Sequence, residues 1–145
     1  HVVEAEVDPE TGAVTIVNYI AVHDSGRLIN PMIVDGQVMG GAIHGVGNAL
    51  FEHMHFDEGG QPQTVTLAEY LLPSAPESPS IEIIHMESPT PLNPLGVKGA
   101  GEIGTGCAVA TIVNALVDAL SPLGIHHIDT PATAESIWQK IQSAK

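Results

Sequence analysis

The sequence contains a single cysteine, Cys107, so the chain forms no internal disulfide and offers no thiolate set for an iron–sulfur cluster or a structural zinc. A reducing, cytoplasmic setting is the expectation that follows. Cations are nearly as scarce: four lysines and arginines stand against seventeen aspartates and glutamates, a formal net charge of −13. Nucleic acids and anionic membrane surfaces both call for clustered cations, so neither is an expected partner. Aromatic residues make up 3% of the chain, which leaves aliphatic and small side chains to build the core. No basic stretch leads into an apolar segment, and no uncharged apolar run reaches about 18 residues, so the sequence predicts neither a signal peptide nor a membrane span.

What is present is glycine, concentrated in two places. The 145 residues amount to about one domain. Two β-prone runs, residues 1–7 and 13–22, flank the turn-forming cluster Asp8-Pro9-Glu10-Thr11-Gly12 and predict a hairpin. Asn30 then suits an N-cap and Pro31 the first position of a helix running towards Glu52. That helix carries Gly36, Gly40, Gly41, Gly45 and Gly47, each costing about 1 kcal/mol relative to alanine. At 100° per residue, Gly36, Gly40, Ile43 and Gly47 share one stripe suited to close helix packing, while Gln37, Gly41, His44 and Asn48 line an adjacent stripe along which a polar ligand could lie. Residues 57–80 are rich in turn formers, with a short strand expected through Thr64 to Leu67, and Ile81 to Met86 reads as another strand. Past a proline-broken stretch, Cys107 to Leu120 reads as a buried helix, Ile125 to Ile128 as a short strand, and Thr133 to Gln142 as an amphipathic helix. The fold class predicted is α+β: an N-terminal β-hairpin, a Gly-rich helix, further short strands, a buried helix after a glycine loop, and a C-terminal helix.

The second glycine cluster runs from Gly96 to Gly106 and sets Lys98 and Glu102 among five glycines ahead of the buried helix. Glycines let a main chain bend closely around a ligand or pack tightly, and a helix amino end favours a nearby carboxylate or anion. Glu102 is therefore the candidate for chemistry, set against two simpler roles: an ion pair with Lys98, or an interaction with the helix terminus. Lys98 and Arg27, the two cations ahead of the final helix and tail (Lys140, Lys145), either offset a ligand's negative charge or pair with neighbouring carboxylates. Gly99-x-Gly101-x-x-Gly104 matches a dinucleotide fingerprint in letters, but a proline-broken segment precedes it and Asp118 falls within the following helix, so the βαβ context is missing. Of the eight histidines, His53 with His55 and His126 with His127 lie closest together, and neither pair has zinc-type spacing to a second. No metal ligands are assigned. His44 is expected to be a structural histidine and Cys107 a buried structural thiol one turn into its helix.

The ordered series Asp24-Ser-Gly26-Arg-Leu-Ile-Asn30-Pro31, Gly36-Gln37-Val-x-Gly40-Gly41, Gly45-x-Gly47, Tyr70-x-x-Pro73 and Asn93-Pro-x-Gly-Val-Lys98-Gly-x-Gly101-Glu102 resembles the C-terminal end of molybdenum hydroxylase large subunits, the xanthine dehydrogenase, aldehyde oxidase and aerobic carbon monoxide dehydrogenase group. The resemblance spans nearly the whole chain. It implies an oxidoreductase that hydroxylates an aldehyde, an N-heterocycle or a similar small molecule with oxygen from water, using a molybdenum-bearing molybdopterin, in bacteria usually the cytosine dinucleotide form. It further implies Glu102 as the base that deprotonates the attacking hydroxyl, Gln37 as a cofactor contact, and Lys98 with Gly99 and Gly101 as further pocket residues. Iron–sulfur and FAD groups belong, on this resemblance, to other domains or subunits. Because the family's large subunits run to several hundred residues, and this chain starts without methionine in a strand-like segment, residues 1–145 are expected to be the C-terminal portion of a molybdopterin-binding domain. As a fragment or split subunit, it would be inactive apart from the rest of the large subunit. A non-catalytic packing module, with Glu102 as a helix cap, is the alternative.

Overall fold

The computed structural model describes residues 1–144; Lys145 lies outside the described residues. The predicted hairpin forms from β1 (Val2–Val7) and β2 (Val14–His23), antiparallel, with a register irregularity between Glu4 and Ala5. Its turn is closed by Asp8, whose carboxylate accepts the Glu10 amide and the Thr11 hydroxyl. β3 (Ile81–His85) adds parallel to β2, giving the order β1-β2-β3. Cross-strand partners share a face, so Tyr19 and Ile81, Ala21 and Ile83, and His23 and His85 look the same way. The helices cover that face. The other face leaves Val2, Val22 and Ile84 exposed.

α1 (Pro31–Leu50) starts where the sequence predicts, with the Asn30 side chain accepting the Ile33 N–H at 3.3 Å and Pro31 at the first helical position. It packs against β3, and α2 (Ala108–Leu120) packs against both β1 and α1. α3 (Ala134–Ser143), capped by Thr133, closes the core with Ile137 and Ile141. The α+β class holds, and the core is aliphatic as the composition requires: Val38, Ala42, Val46, Ile112 and Leu116 are fully buried, with Tyr19 the aromatic among them.

Four expectations need correction. The close approach to α1 uses Gly45 against α2 and Gly41 against the glycine loop, not the Gly36–Gly40–Gly47 stripe. A Cβ on Gly45 would sit 2.2 Å from the Ala108 Cβ, one on Gly41 would sit 2.8 Å from the Thr105 nitrogen, and one on Gly104 would sit 2.2 Å from the Val38 carbonyl oxygen. Gly36 and Gly40 have nothing within 4 Å of an added Cβ among the described residues, and Gly47 is packed instead by Glu52 and Pro73. The strand expected through Thr64 to Leu67 is a turn, because Glu69 folds back to accept the Val65 and Thr66 amides and the Thr66 hydroxyl. Ile125 to Ile128 is not a strand either: Ile125 and Ile128 are the buried positions, a spacing of three that a two-residue alternation cannot give. Finally, α2 is buried along the single stripe Ala108, Ile112, Leu116 and Leu120 while Asn114 and Asp118 are exposed.

Candidate functional site

Two segments far apart in sequence are joined where β2 ends. The Asp24 carboxylate binds both: one oxygen accepts the Gly26 amide at 2.8 Å and the Ser88 amide at 3.0 Å, and the other accepts Lys98 Nζ at 2.5 Å. The Lys98 ammonium, ahead of the two amides, draws the Asp24 carboxyl down to about 2. The backbones meet beside this clamp. Lys98 N–H donates to the Ser25 carbonyl at 2.9 Å, and Arg27 N–H donates to the Gly96 carbonyl at 3.0 Å. Gly26 and Gly96 adopt left-handed φ values of 64° and 69°, and a Cβ on Gly26 would meet the Gly96 carbonyl oxygen at 2.2 Å, so this contact needs glycine. Asn93 braces the same loop, donating to the Val97 carbonyl at 3.0 Å and accepting its amide at 3.2 Å.

The glycine loop then crosses α1. Gly104 lies against Val38 and Ala42, and the Thr105 hydroxyl donates to the Gly41 carbonyl at 3.2 Å. Gln37 adjoins Val38 on one side of this seam, and Glu102 stands two residues before Gly104 on the other. Gln37, Gly36, Gly40 and Glu102 are all exposed. Glu102 has neither of the simpler roles. Lys98 is engaged by Asp24, and α2 begins at Ala108 with Cys107 as its cap and no side-chain capping bond. The Glu102 carbonyl accepts the Thr105 and Gly106 amides at 3.1 and 3.0 Å, while its carboxylate has no hydrogen-bond or ion-pair partner among the described residues. A mostly apolar cavity of about 370 Å³ opens between the Ser25–Asn30 loop, the start of α1 and the glycine loop, lined by Ile33, Val34, Leu95, Val97 and Ala100 with Arg27 and Lys98.

Cys107 caps α2 and is exposed, rather than buried one turn inside it. His44 is exposed and without a partner among the described residues, so it is not a satisfied structural histidine. The His53 and His55 rings touch with centroids 3.6 Å apart and planes tilted by 44°, and the described residues include no group of three or more potential metal-ligating side chains. The glycine loop follows turns, not a strand, which removes the dinucleotide fingerprint on structural grounds as well.

Sequence reasoning allowed Lys98 a carboxylate partner without naming Asp24, and it missed a polar group beside that clamp: buried His23 and Ser25 with partly exposed His85 and Asp35. His23 and Ser25 are 7% and 4% exposed. The signal available was that two apolar strands, Ala21-Val22-His23 and Ile83-Ile84-His85, both end on histidine.

A family model described as "Molybdopterin cofactor-binding domain" matches residues 1–79. The chain is 42% identical over 137 residues to the nicotine 6-hydroxylase large subunit of Paenarthrobacter nicotinovorans, covering 94% of this chain and 17% of that protein. It is 36% identical over 137 residues to the carbon monoxide dehydrogenase large chain of Hydrogenophaga pseudoflava, again over 94% of this chain and 17% of the relative. Among solved structures, quinoline 2-oxidoreductase from Pseudomonas putida 86 superposes with a TM-score of 0.92 at 42% identity, over 95% of this chain and 18% of that one. The chain thus spans less than a fifth of the length of these relatives.

Proposed function

We propose, from the premise that this chain belongs to the molybdopterin cofactor-binding family of molybdenum hydroxylases, that residues 1–145 form the C-terminal part of a large subunit in which Glu102 is the catalytic base. The observation that carries this reading is the freedom of the Glu102 carboxylate. It is exposed and unpaired on a loop braced from several sides, in a chain where the neighbouring lysine is already neutralised. A carboxylate left without a partner on a rigid support is available to take a proton.

The residues present fit a large anionic cofactor. Gly36 and Gly40 have no neighbour within 4 Å of an added Cβ, as have Gly99 and Gly101, so main chain is open to a ligand on both α1 and the loop. Gln37 offers an amide between the first pair. Lys98 keeps donors beyond the one given to Asp24. On this reading Gln37, Lys98, Gly99 and Gly101 hold the pterin, taken in its cytosine dinucleotide form, and the 370 Å³ cavity lies beside them. When bound, the cofactor supplies a molybdenum centre that accepts two electrons and acidifies bound water. Glu102 accepts the proton that water must lose as its oxygen is delivered to the substrate carbon. Overall, substrate C–H and water yield C–OH, two protons and two electrons, and the electrons leave through iron–sulfur and flavin groups on partner subunits or domains. The packing alternative accounts for Gly41, Gly45 and Gly104 but not for the open glycines. No helix among the described residues is long and apolar enough to cross a membrane, and the cytoplasm remains the proposed setting.

The test is Glu102→Gln in a large subunit carrying this segment. Hydroxylation should fall by at least about a thousandfold, the upper part of the range for general-base loss, with molybdenum and pterin content unchanged. Turnover within tenfold of the parent would remove Glu102 from the chemistry.

A further inference from the structure

β2 and β3 end side by side on His23 and His85, which are register partners on the helix-covered face. Their rings meet edge to face, centroids 4.6 Å apart and planes at 85°. Each imidazole has one nitrogen engaged and one bare. His23 Nδ1 lies 3.2 Å from the Ser25 hydroxyl, and His85 Nε2 lies 2.7 Å from an Asp35 carboxylate oxygen; His23 Nε2 and His85 Nδ1 are buried without a partner among the described residues. The Ser25 carbonyl in turn holds the Lys98 amide, and Asp35 stands on α1 two residues before Gln37. A continuous series of contacts, Lys98, Ser25, His23, His85 and Asp35, therefore joins the glycine loop to the open face of α1.

We infer that the His23–His85 pair is a positioning element that sets the separation between the Gln37 face of α1 and the Lys98 loop, and that it holds only while His23 is neutral. A second proton on His23 would create a buried N–H at Nε2 with no acceptor among the described residues and a charge edge-on to the neighbouring imidazole. The charged groups around the pair are Asp24 at the end of β2, Asp35 on α1, His85 on β3 and Lys98 on the loop, with Lys98 and Asp24 neutralising one another. Burial first, then His85, holds His23 below the usual imidazole value; Asp35 and Asp24 oppose this. That this separation matters for a cofactor rests on the function proposed above. The coupling itself does not.

The experiment is a ¹⁵N NMR titration of the 145-residue chain from pH 8 to pH 4, following imidazole nitrogens and backbone amides. His23 should protonate below the usual imidazole range, and the Lys98 and Gln37 amides should shift with the His23 midpoint. Asp35→Asn removes a carboxylate that favours the charged ring, so it should move that shared midpoint down, whereas His126→Gln should leave it in place. Lys98 and Gln37 amides that ignore His23 protonation, or that titrate with separate midpoints, would overturn the inference. So would an Asp35→Asn midpoint that stays put or rises, or a simultaneous loss of remote amides such as Thr111 and Ser143, which would mean global unfolding. No cofactor enters this measurement, so its failure leaves the Glu102→Gln test intact, and the converse holds.

Discussion

At the scale of single residues, the glycines divide into those that the fold consumes and those that it leaves open. Gly104→Ala drives a methyl to 2.2 Å from a backbone carbonyl oxygen and should destabilise the chain by about 1–3 kcal/mol. Gly36→Ala meets nothing within 4 Å and should stabilise it by about 0.5–1 kcal/mol through helix propensity. Urea denaturation of the two variants would show opposite shifts in midpoint. In an assembled enzyme, on the proposed reading, the stabilising change at Gly36 should nonetheless lower pterin content. Glu102 could be named from sequence because a carboxylate in a glycine loop is a local pattern. Its freedom could not, because the residue that takes Lys98 away from it, Asp24, lies 74 positions earlier. The contact between His85 and Asp35, 50 positions apart, was hidden for the same reason.

Elements whose determinants are local were legible. The hairpin turn at Asp8 and the Asn30 cap with Pro31 stand where their residue chemistry puts them. Asn30→Ala should cost about 1 kcal/mol by removing the oxygen that accepts the Ile33 amide, measurable as a lower thermal midpoint. The two misassigned strands fail for a common physical reason. A β-prone run becomes a strand only beside an edge that pairs with it, and neither Thr64 to Leu67 nor Ile125 to Ile128 has one. Turn hydrogen bonds to Glu69 take the first, and Lys140 Nζ donates to the His127 carbonyl in the second. The glycine stripe was misjudged because spacing gives the angle between side chains on a helix but not which angle a neighbouring element occupies.

For the whole molecule, acid is the condition to which the fold should respond. His23 binds its proton less readily folded than unfolded, so the unfolded chain gains protons first as pH falls below the usual imidazole value of 6.5. Stability should therefore decline from pH 7 to pH 5, and His23→Asn, which retains a polar group for Ser25, should flatten that decline in urea titrations. Asp24 acts lower down: its depressed carboxyl stabilises the fold above the usual value of 3.8, and that contribution is lost as pH falls towards about 2. The two groups belong to one junction, so acid should loosen the end of the sheet nearest α1 first.

The parallel pairing of β2 with β3 has a consequence for where this unit can be divided. Two parallel neighbours require a long crossover, and here the crossover is α1 together with everything up to Ser80. The stretch matched by the family model closes at residue 79, with Ser80 alone between it and β3. A polypeptide cut at that point would carry β2 with a bare hydrogen-bonding edge, from Tyr19 to His23, and lose the partner that covers it. The shortest piece able to stand in solution therefore extends past that boundary, and a recombinant chain trimmed to it should clump through its exposed strand.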